Sequence, residues 1–417
     1  MSEPVIDERF VPIEDPDFYL DDPWPTFSWM QRERPFYHYE PLDTFVITRH
    51  RDILEIAPRA DVFSNSRGIF LNEIKFRKEA GDANFSENFW PEGGEQIGNS
   101  DPPRHQELRR VAQGAFTLPA MQVVSDKISG HIGALLDEIQ SGETVEWWDF
   151  AAAVPIEAAC NLIGLPATDR KKVQFWSDEM EKLGSDLPFE ELQAATVQFA
   201  SLKEYISENA ERRKAERTAG DKRDTDLIAV LLDAELDNAK VTMPNVITFA
   251  MTALAAGGDT TRALLLGLAH QFAENPDQWD ILRNDRSLVR NAIEETLRWV
   301  TPARAFLRSV LHDTEVNGQA MKAGQHVYLM YMAANRDESA FEHAHRFDIR
   351  RRDASRHLAL GAGPHLCLGA RLARLEGVLV LNAMLDRFTR IELAGEPKRV
   401  RHVIRNSWES MPVRLTR

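Results

Sequence analysis

The feature that most limits how this chain can fold is a helical run over residues 242–275. Apolar side chains recur there with the 3.6-residue period, and Asn275-Pro276 closes the run. At ~1.5 Å of rise per residue this helix is on the order of 50 Å long, enough to cross a whole domain. Its middle reads Ala255-Ala-Gly-Gly-Asp-Thr-Thr261. Two adjacent glycines cost a helix roughly 2 kcal/mol relative to alanine. A notch for close helix packing would account for the glycines. It does not account for Asp259 and two hydroxyls in an apolar helix, because a buried carboxylate is costly without a partner or a task.

Helical periods also cover residues 28–34, 105–116, 121–139, 199–215, 287–300 and 370–388. Strand-like alternation is confined to short pieces at 44–48, 308–335 and 411–416. Asn317-Gly318 between two such pieces predicts a hairpin. Residues 68–100 form a long aromatic-bearing segment without a clear period, which fits a lid. The expected fold is mainly α with a minor β-sheet region (α+β), as a single domain over residues 1–417.

The net charge of -15 argues against a nucleic-acid or anionic-membrane partner. The first residues show no basic region followed by an apolar run, and no stretch reads as a membrane span, so a cytoplasmic protein without a membrane anchor is expected. Two cysteines exclude a disulfide framework and a Cys-rich zinc site. Cys160 lies in an apolar helical stretch and reads as packing. Cys367 does not.

The segment His357-Leu-Ala-Leu-Gly-Ala-Gly-Pro-His-Leu-Cys-Leu-Gly-Ala-Arg-Leu-Ala-Arg374 carries three glycines that let the backbone turn sharply, and Cys367 stands just before a helix N-terminus. The positive helix end and loop N–H groups would hold its sulfur as a thiolate. A thiolate so placed could be a nucleophile, a redox sensor or an iron ligand. A nucleophile would want an oriented histidine base, and His365, two residues away, rarely gives that geometry.

This glycine-rich loop, with a basic residue, Cys, one residue and then Gly369, resembles the haem-binding loop of the cytochrome P-450 superfamily. The resemblance implies that fold, with the long central helix over haem, and Cys367 as the metal ligand. Thiolate ligation pushes electron density toward O–O cleavage. The loop departs from the family in one place: Leu360 stands where phenylalanine usually packs beside the sulfur, which implies an altered redox potential with ligation intact. The glycine–acid–alcohol motif resembles the family's oxygen notch. By that match Ala256 and Gly257 approach the cofactor, Asp259 relays protons from solvent, Thr260 hydrogen-bonds the ligand on the iron, and Thr261 bonds back to the helix.

The resemblance extends to the supporting charges. Glu295-Thr-Leu-Arg298 would be an ordinary surface pair from its spacing alone. In the family it is structural and is joined by a further arginine, for which Arg346 is the candidate. His105 and Arg109, four apart on one helix face, match the helix that binds the haem propionates. Arg308 matches the propionate arginine on the following strand, with Arg304 as its competitor, and His365 matches the basic residue of the cysteine loop.

The implied cofactor is haem b, with O2 as co-substrate, and the implied reaction is hydroxylation of a small-to-medium hydrophobic substrate: a terpenoid, a steroid or an aromatic. Expected substrate contacts are Phe70, Phe89, Leu254, Gly258, Ala303, Phe306 and Trp408. The resemblance to stand-alone bacterial members implies a monomer served by an iron–sulfur ferredoxin and a flavin-dependent ferredoxin reductase. Arg104, Arg110, Arg350, Arg351, Arg352, Arg371 and Arg374 are candidates for the docking patch. Two alternatives have the same cofactor: a peroxygenase, whose members typically lack the Asp259–Thr260 type of pair, and a non-catalytic haem sensor or carrier, which would not need the notch.

Overall fold

A computed structural model describes residues 10–80, 90–180, 182, 189–220 and 225–417. The long helix runs Met243–Glu274 without a break. Thr242 caps its start by accepting from Asn245 N–H, and Asn275 ends it ahead of Pro276. Gly257, Gly258 and Gly267 do not interrupt it. The helices Trp147–Ile163, Phe189–Thr218, Val289–Val300 and Ala370–Arg387 all pack on it. Leu254, Leu264, Leu265, Leu266 and Leu268 are fully buried in the resulting core. Gly377 marks how close that packing is: a Cβ there would meet Ile293 Cδ1 at 2.9 Å and Leu264 Cδ2 at 3.4 Å.

The strands form several separate sheets. A five-stranded sheet has the order Phe36–Tyr39, Thr44–Ile47, His326–Leu329, Phe306–Val310, Phe63–Ser64. The pair Thr44–Ile47 and His326–Leu329 is parallel, and the other pairs are antiparallel. Its register sets Arg308 opposite Val327. The expected hairpin forms as Thr314–Val316 and Gln319–Met321, with Asn317 and Gly318 both at positive φ. The chain end, Pro412–Thr416, pairs with Arg390–Leu393 and Thr144–Glu146. This is a mainly helical α+β architecture.

Glu295 and Arg298 are wholly buried, contrary to a surface pair. Arg298 donates from Nε and Nη2 to the two oxygens of Glu295 at 2.7 and 2.8 Å, and from Nη1 to the carbonyls of Asn335 and Ala344. The third arginine is Arg351, whose Nε lies 3.2 Å from Glu295. Arg346 contributes only its carbonyl oxygen, which accepts from Arg298 and Arg351. The carboxylate selects Arg351 because residues 346–351 turn back on themselves and bring the later side chain inward.

Candidate haem-binding site

Three glycines shape the cysteine loop, and two of them, Gly361 and Gly363, have φ of 76° and 69°. A Cβ on Gly363 would also lie 2.5 Å from the Ala57 carbonyl oxygen, so only glycine fits. The loop closes with Cys367 N–H donating to the Leu360 carbonyl at 2.9 Å. Leu360 itself packs at the edge of the main core. The helix Ala370–Arg387 follows at once, and the backbone N–H groups of Gly369 and Ala370 donate toward Cys367 Sγ.

The Cys367 side chain is exposed, yet the protein mass around it is sufficient to push its thiol up. Burial outweighs the two N–H groups and the nearby charges of Arg109 and Arg374, which act in the opposite direction. A coordinated metal ion would deprotonate it outright. Cys160, by contrast, is buried in the core and held at about 12 by desolvation, as a packing residue should be.

Four basic residues meet beside this loop. His105 and Arg109 come from the helix Arg104–Ala112, Arg308 from its strand and His365 from the loop. The His105 and His365 rings are 4.0 Å apart. His105 Nδ1 and His365 Nε2 are buried without a hydrogen-bond partner. Among the described residues no carboxylate forms an ion pair with Arg109 or Arg308. Asp101 acts on Arg308 only at a distance, being bonded to Ser64 and to Asn65 N–H. Burial, then Arg308, His105 and Arg109, pull His365 down to about 2. So much uncompensated positive potential with orphaned donors fits an anionic group, and carboxylates are the natural complement. Arg304 plays no part: fully buried, it donates to the His402 and Val403 carbonyls and to Asn406.

The long helix presents one accessible stripe, Thr252, Ala253, Ala256, Gly257 and Thr260, at helical spacing. A Cβ on Gly257 would meet nothing within 4 Å. Thr260 Oγ1 donates to the Ala256 carbonyl at 2.7 Å, so the back-bond expected of Thr261 belongs to Thr260. Such a bond bends a helix slightly and leaves the hydroxyl oxygen free to accept. Asp259 is buried and held at about 2: desolvation raises it, but the guanidinium groups of Arg405 and Arg262 outweigh that. Arg405 went unnoticed in the sequence because nothing local marks it; it is 146 positions away from Asp259.

The substrate residues divide. Phe70 and Phe306 are partly accessible with ring centroids 6.0 Å apart, and Ala303, just before Phe306 in sequence, is partly accessible too. Leu254 and Gly258 lie on the far face of the long helix, one in the core and the other against Ser177 and Ile156. Counting along the helix rather than around it misplaced them. Trp408 is buried between His270, stacked at 5.1 Å, and the Arg399 guanidinium. Phe89 lies outside the described residues.

A family model, Cytochrome P450, matches residues 187–402. The chain is 30% identical to the steroid C26-monooxygenase of Rhodococcus jostii over 96% of its own length and 83% of that protein's. The chain belongs to the cytochrome P450 family. It is also 29% identical to the linalool 8-monooxygenase of Pseudomonas putida, covering 97% of this chain and 98% of that one. A solved structure of CYP109E1 from Bacillus megaterium in complex with testosterone superimposes with a TM-score of 0.80 at 25% identity, covering 94% of this chain and 99% of that one. This cytochrome P450 is a monooxygenase, and its family uses haem and dioxygen. Among its described residues no helix is long and apolar enough to cross a membrane.

Proposed function

We propose that this cytochrome P450 hydroxylates a hydrophobic substrate of the steroid or terpenoid class, using haem b held by Cys367 and electrons from a ferredoxin. The observation that carries the haem assignment is the accessible Cys367 side chain beside two imidazoles with orphaned nitrogens and two arginines that have no carboxylate partner among the described residues. Cys367 would supply the sulfur that holds the iron. His105, Arg109, Arg308 and His365 would hold the propionates, and Ala256, Gly257 and Gly369 would lie against the ring because they carry little or no side chain. With Cys160 buried elsewhere, no second thiol is placed to attach the cofactor covalently, which supports haem b.

When bound, haem supplies dioxygen activation and insertion of one oxygen atom into the substrate. The chain binds and orients, keeps water from the reacting face and supplies protons. The accessible stripe from Thr252 to Thr260 is small and mostly apolar, and Phe70, Ala303 and Phe306 extend that character. Support for steroids and terpenoids comes from the named activities of the similar proteins. Asp259 and Thr260 favour a monooxygenase over a peroxide-driven relative, with Asp259 passing protons and the Thr260 oxygen accepting them in line.

For the ferredoxin, the support is a reduced basic patch. Arg351 is buried on Glu295, Arg374 is paired with Glu294, and Arg104 is engaged by Glu95, Glu107 and Asp237. Arg110, Arg350, Arg352 and Arg371 remain exposed. Exposed cations attract an acidic protein in a salt-dependent way where they share one face.

The test is spectroscopic first. The reduced protein should show the red-shifted carbon monoxide band of a thiolate-bound haem, and Cys367→Ser should lose it. A steroid or a terpenoid should then convert the ferric spectrum from low to high spin, and turnover should need ferredoxin and its reductase. Turnover supported by hydrogen peroxide alone would transfer the chain to the peroxygenase reading.

A further inference from the structure

Both oxygens of Asp259 are occupied. Arg405 donates from Nε to Oδ2 and from Nη2 to Oδ1, each at 2.7 Å. Arg262, one turn along the same helix, donates from Nη2 to Oδ1 at 3.0 Å. Arg262 is itself committed elsewhere: its Nη1 is 2.9 Å from Asp178 Oδ1, and its guanidinium lies over the Trp148 ring at 4.7 Å. Arg405 therefore provides the planar two-point contact, the geometry that fixes a carboxylate most firmly.

Arg405 is not on a helix. Its backbone forms a bridge with Ala303, and the flanking residues reinforce it: Arg304 N–H donates to the Ile404 carbonyl and Asn406 N–H to the Pro302 carbonyl, both at 2.8 Å. The Arg304 guanidinium reaches across to the His402 carbonyl and to Asn406. Thus the segment 302–304, which carries Ala303 and leads into the strand Phe306–Val310, also anchors the segment whose guanidinium holds Asp259.

We infer that Arg405 is the positioning residue of the proton-delivery acid: it holds both carboxylate oxygens of Asp259, and Asp259 takes up a proton only on leaving it. This rests on Asp259 being the relay acid. The step balances simply. One proton from the solvent side binds a carboxylate oxygen, the same number passes on toward Thr260, and the carboxylate returns to Arg405. The charged groups around Asp259 are Arg262 on its own helix, Asp178 on the helix Arg170–Met180 through Arg262, and Arg405 with Arg304 and Arg399 behind it. With two guanidinium groups against it Asp259 is ionised at neutral pH, so the doubly held position cannot itself carry a proton. The segment 402–406, stapled to 302–304, sets how readily Arg405 yields.

The experiment follows the carboxyl carbon of Asp259 by 13C NMR in the haem-loaded ferrous carbon monoxide form, which is diamagnetic, with Asp259→Asn assigning the signal. Arg405→Met should raise the titration midpoint by about one pH unit or more, the size of effect one close opposite charge exerts. Arg405→Lys should return it most of the way. An unchanged midpoint in Arg405→Met means Arg262 suffices and overturns the inference. The second readout is the solvent isotope effect on oxygen uptake driven by a surrogate ferredoxin and reductase. It should fall in Arg405→Met and recover in Arg405→Lys; a fall shared equally by both variants marks a structural role and overturns it. Asp259→Asn leaving the isotope effect unchanged would instead remove Asp259 from the relay, a separate failure that the titration does not share.

Discussion

The rings of His105 and His365 stand 4.0 Å apart at an angle of 42°, and each keeps a buried nitrogen with no hydrogen-bond partner. Two imidazoles facing one another between Arg109 and Arg308 are stable only while both are neutral. Burial and that charge lower both, His365 to about 2.

The pH dependence follows from the sign of that shift. With its folded value below the ordinary 6.5, His365 binds a proton first in the unfolded chain. Its contribution to stability is present above about 6.5 and is lost as the pH falls toward about 2. Thermal unfolding of the haem-free protein from about pH 7 to about pH 4 should show a falling Tm, and His365→Phe should flatten the slope. Haem should flatten it too, since propionates would pair with the protonated imidazoles. A His365→Phe slope equal to that of the wild type would show that other groups govern the acid limb.

Glu295 separates two arginines that look alike in sequence. Arg351→Met strips a charge partner from a fully buried carboxylate and should cost about 3 kcal/mol in urea unfolding. Arg346→Met keeps the only group that residue contributes, its carbonyl, and should stay within about 0.5 kcal/mol. Equal losses would mean that the pairing with Arg351 is dispensable.

The adjacent glycines 257 and 258 of the long helix should respond in opposite ways. Gly258→Ala drives a methyl into Ser177 Oγ and should destabilise by about 1–3 kcal/mol. Ser177→Ala should relieve most of this, because Ser177 Cβ would still be 3.6 Å away. Gly257→Ala should gain about 1 kcal/mol of helix stability while weakening the spin shift of large ligands. A double-mutant cycle on residues 177 and 258 with no coupling would contradict the contact.

Gly363→Ala tests the loop without touching the sulfur. Positive φ alone costs an alanine roughly 1–2 kcal/mol, and the Ala57 carbonyl stands in the way of its methyl. The variant should keep its helices by circular dichroism but retain less haem, read as the ratio of Soret to protein absorbance. Full retention would show that the loop can shift around the extra carbon.

Local chemistry made much of this legible. The 3.6-residue period, Thr242 and Asn275-Pro276 bounded the long helix correctly, and Asn317-Gly318 located its hairpin. His105, Arg109, Arg308 and His365 could be gathered by resemblance to a family, and the fold does bring them together. What stayed hidden depends on contacts between distant segments or on rotation about an axis. Arg351 takes the role expected of Arg346 because a turn redirects the chain. Leu254 and Gly258 are close in sequence to Ala253 and Gly257 but sit on the opposite face, since 100° separates neighbours on a helix. Arg405 acts on Asp259 from the end of the chain, and Trp408 is occupied by His270 and Arg399.

The long helix is a partition with two finished sides. Its accessible side is narrow and carries only small side chains. Its other side rests on Ile156 and Ser177, and Trp147 Nε1–H donates to the Leu265 carbonyl. Close packing carries a volume change behind the partition into the position of its accessible side. Selectivity can therefore be retuned from the rear, by residues that never meet a substrate.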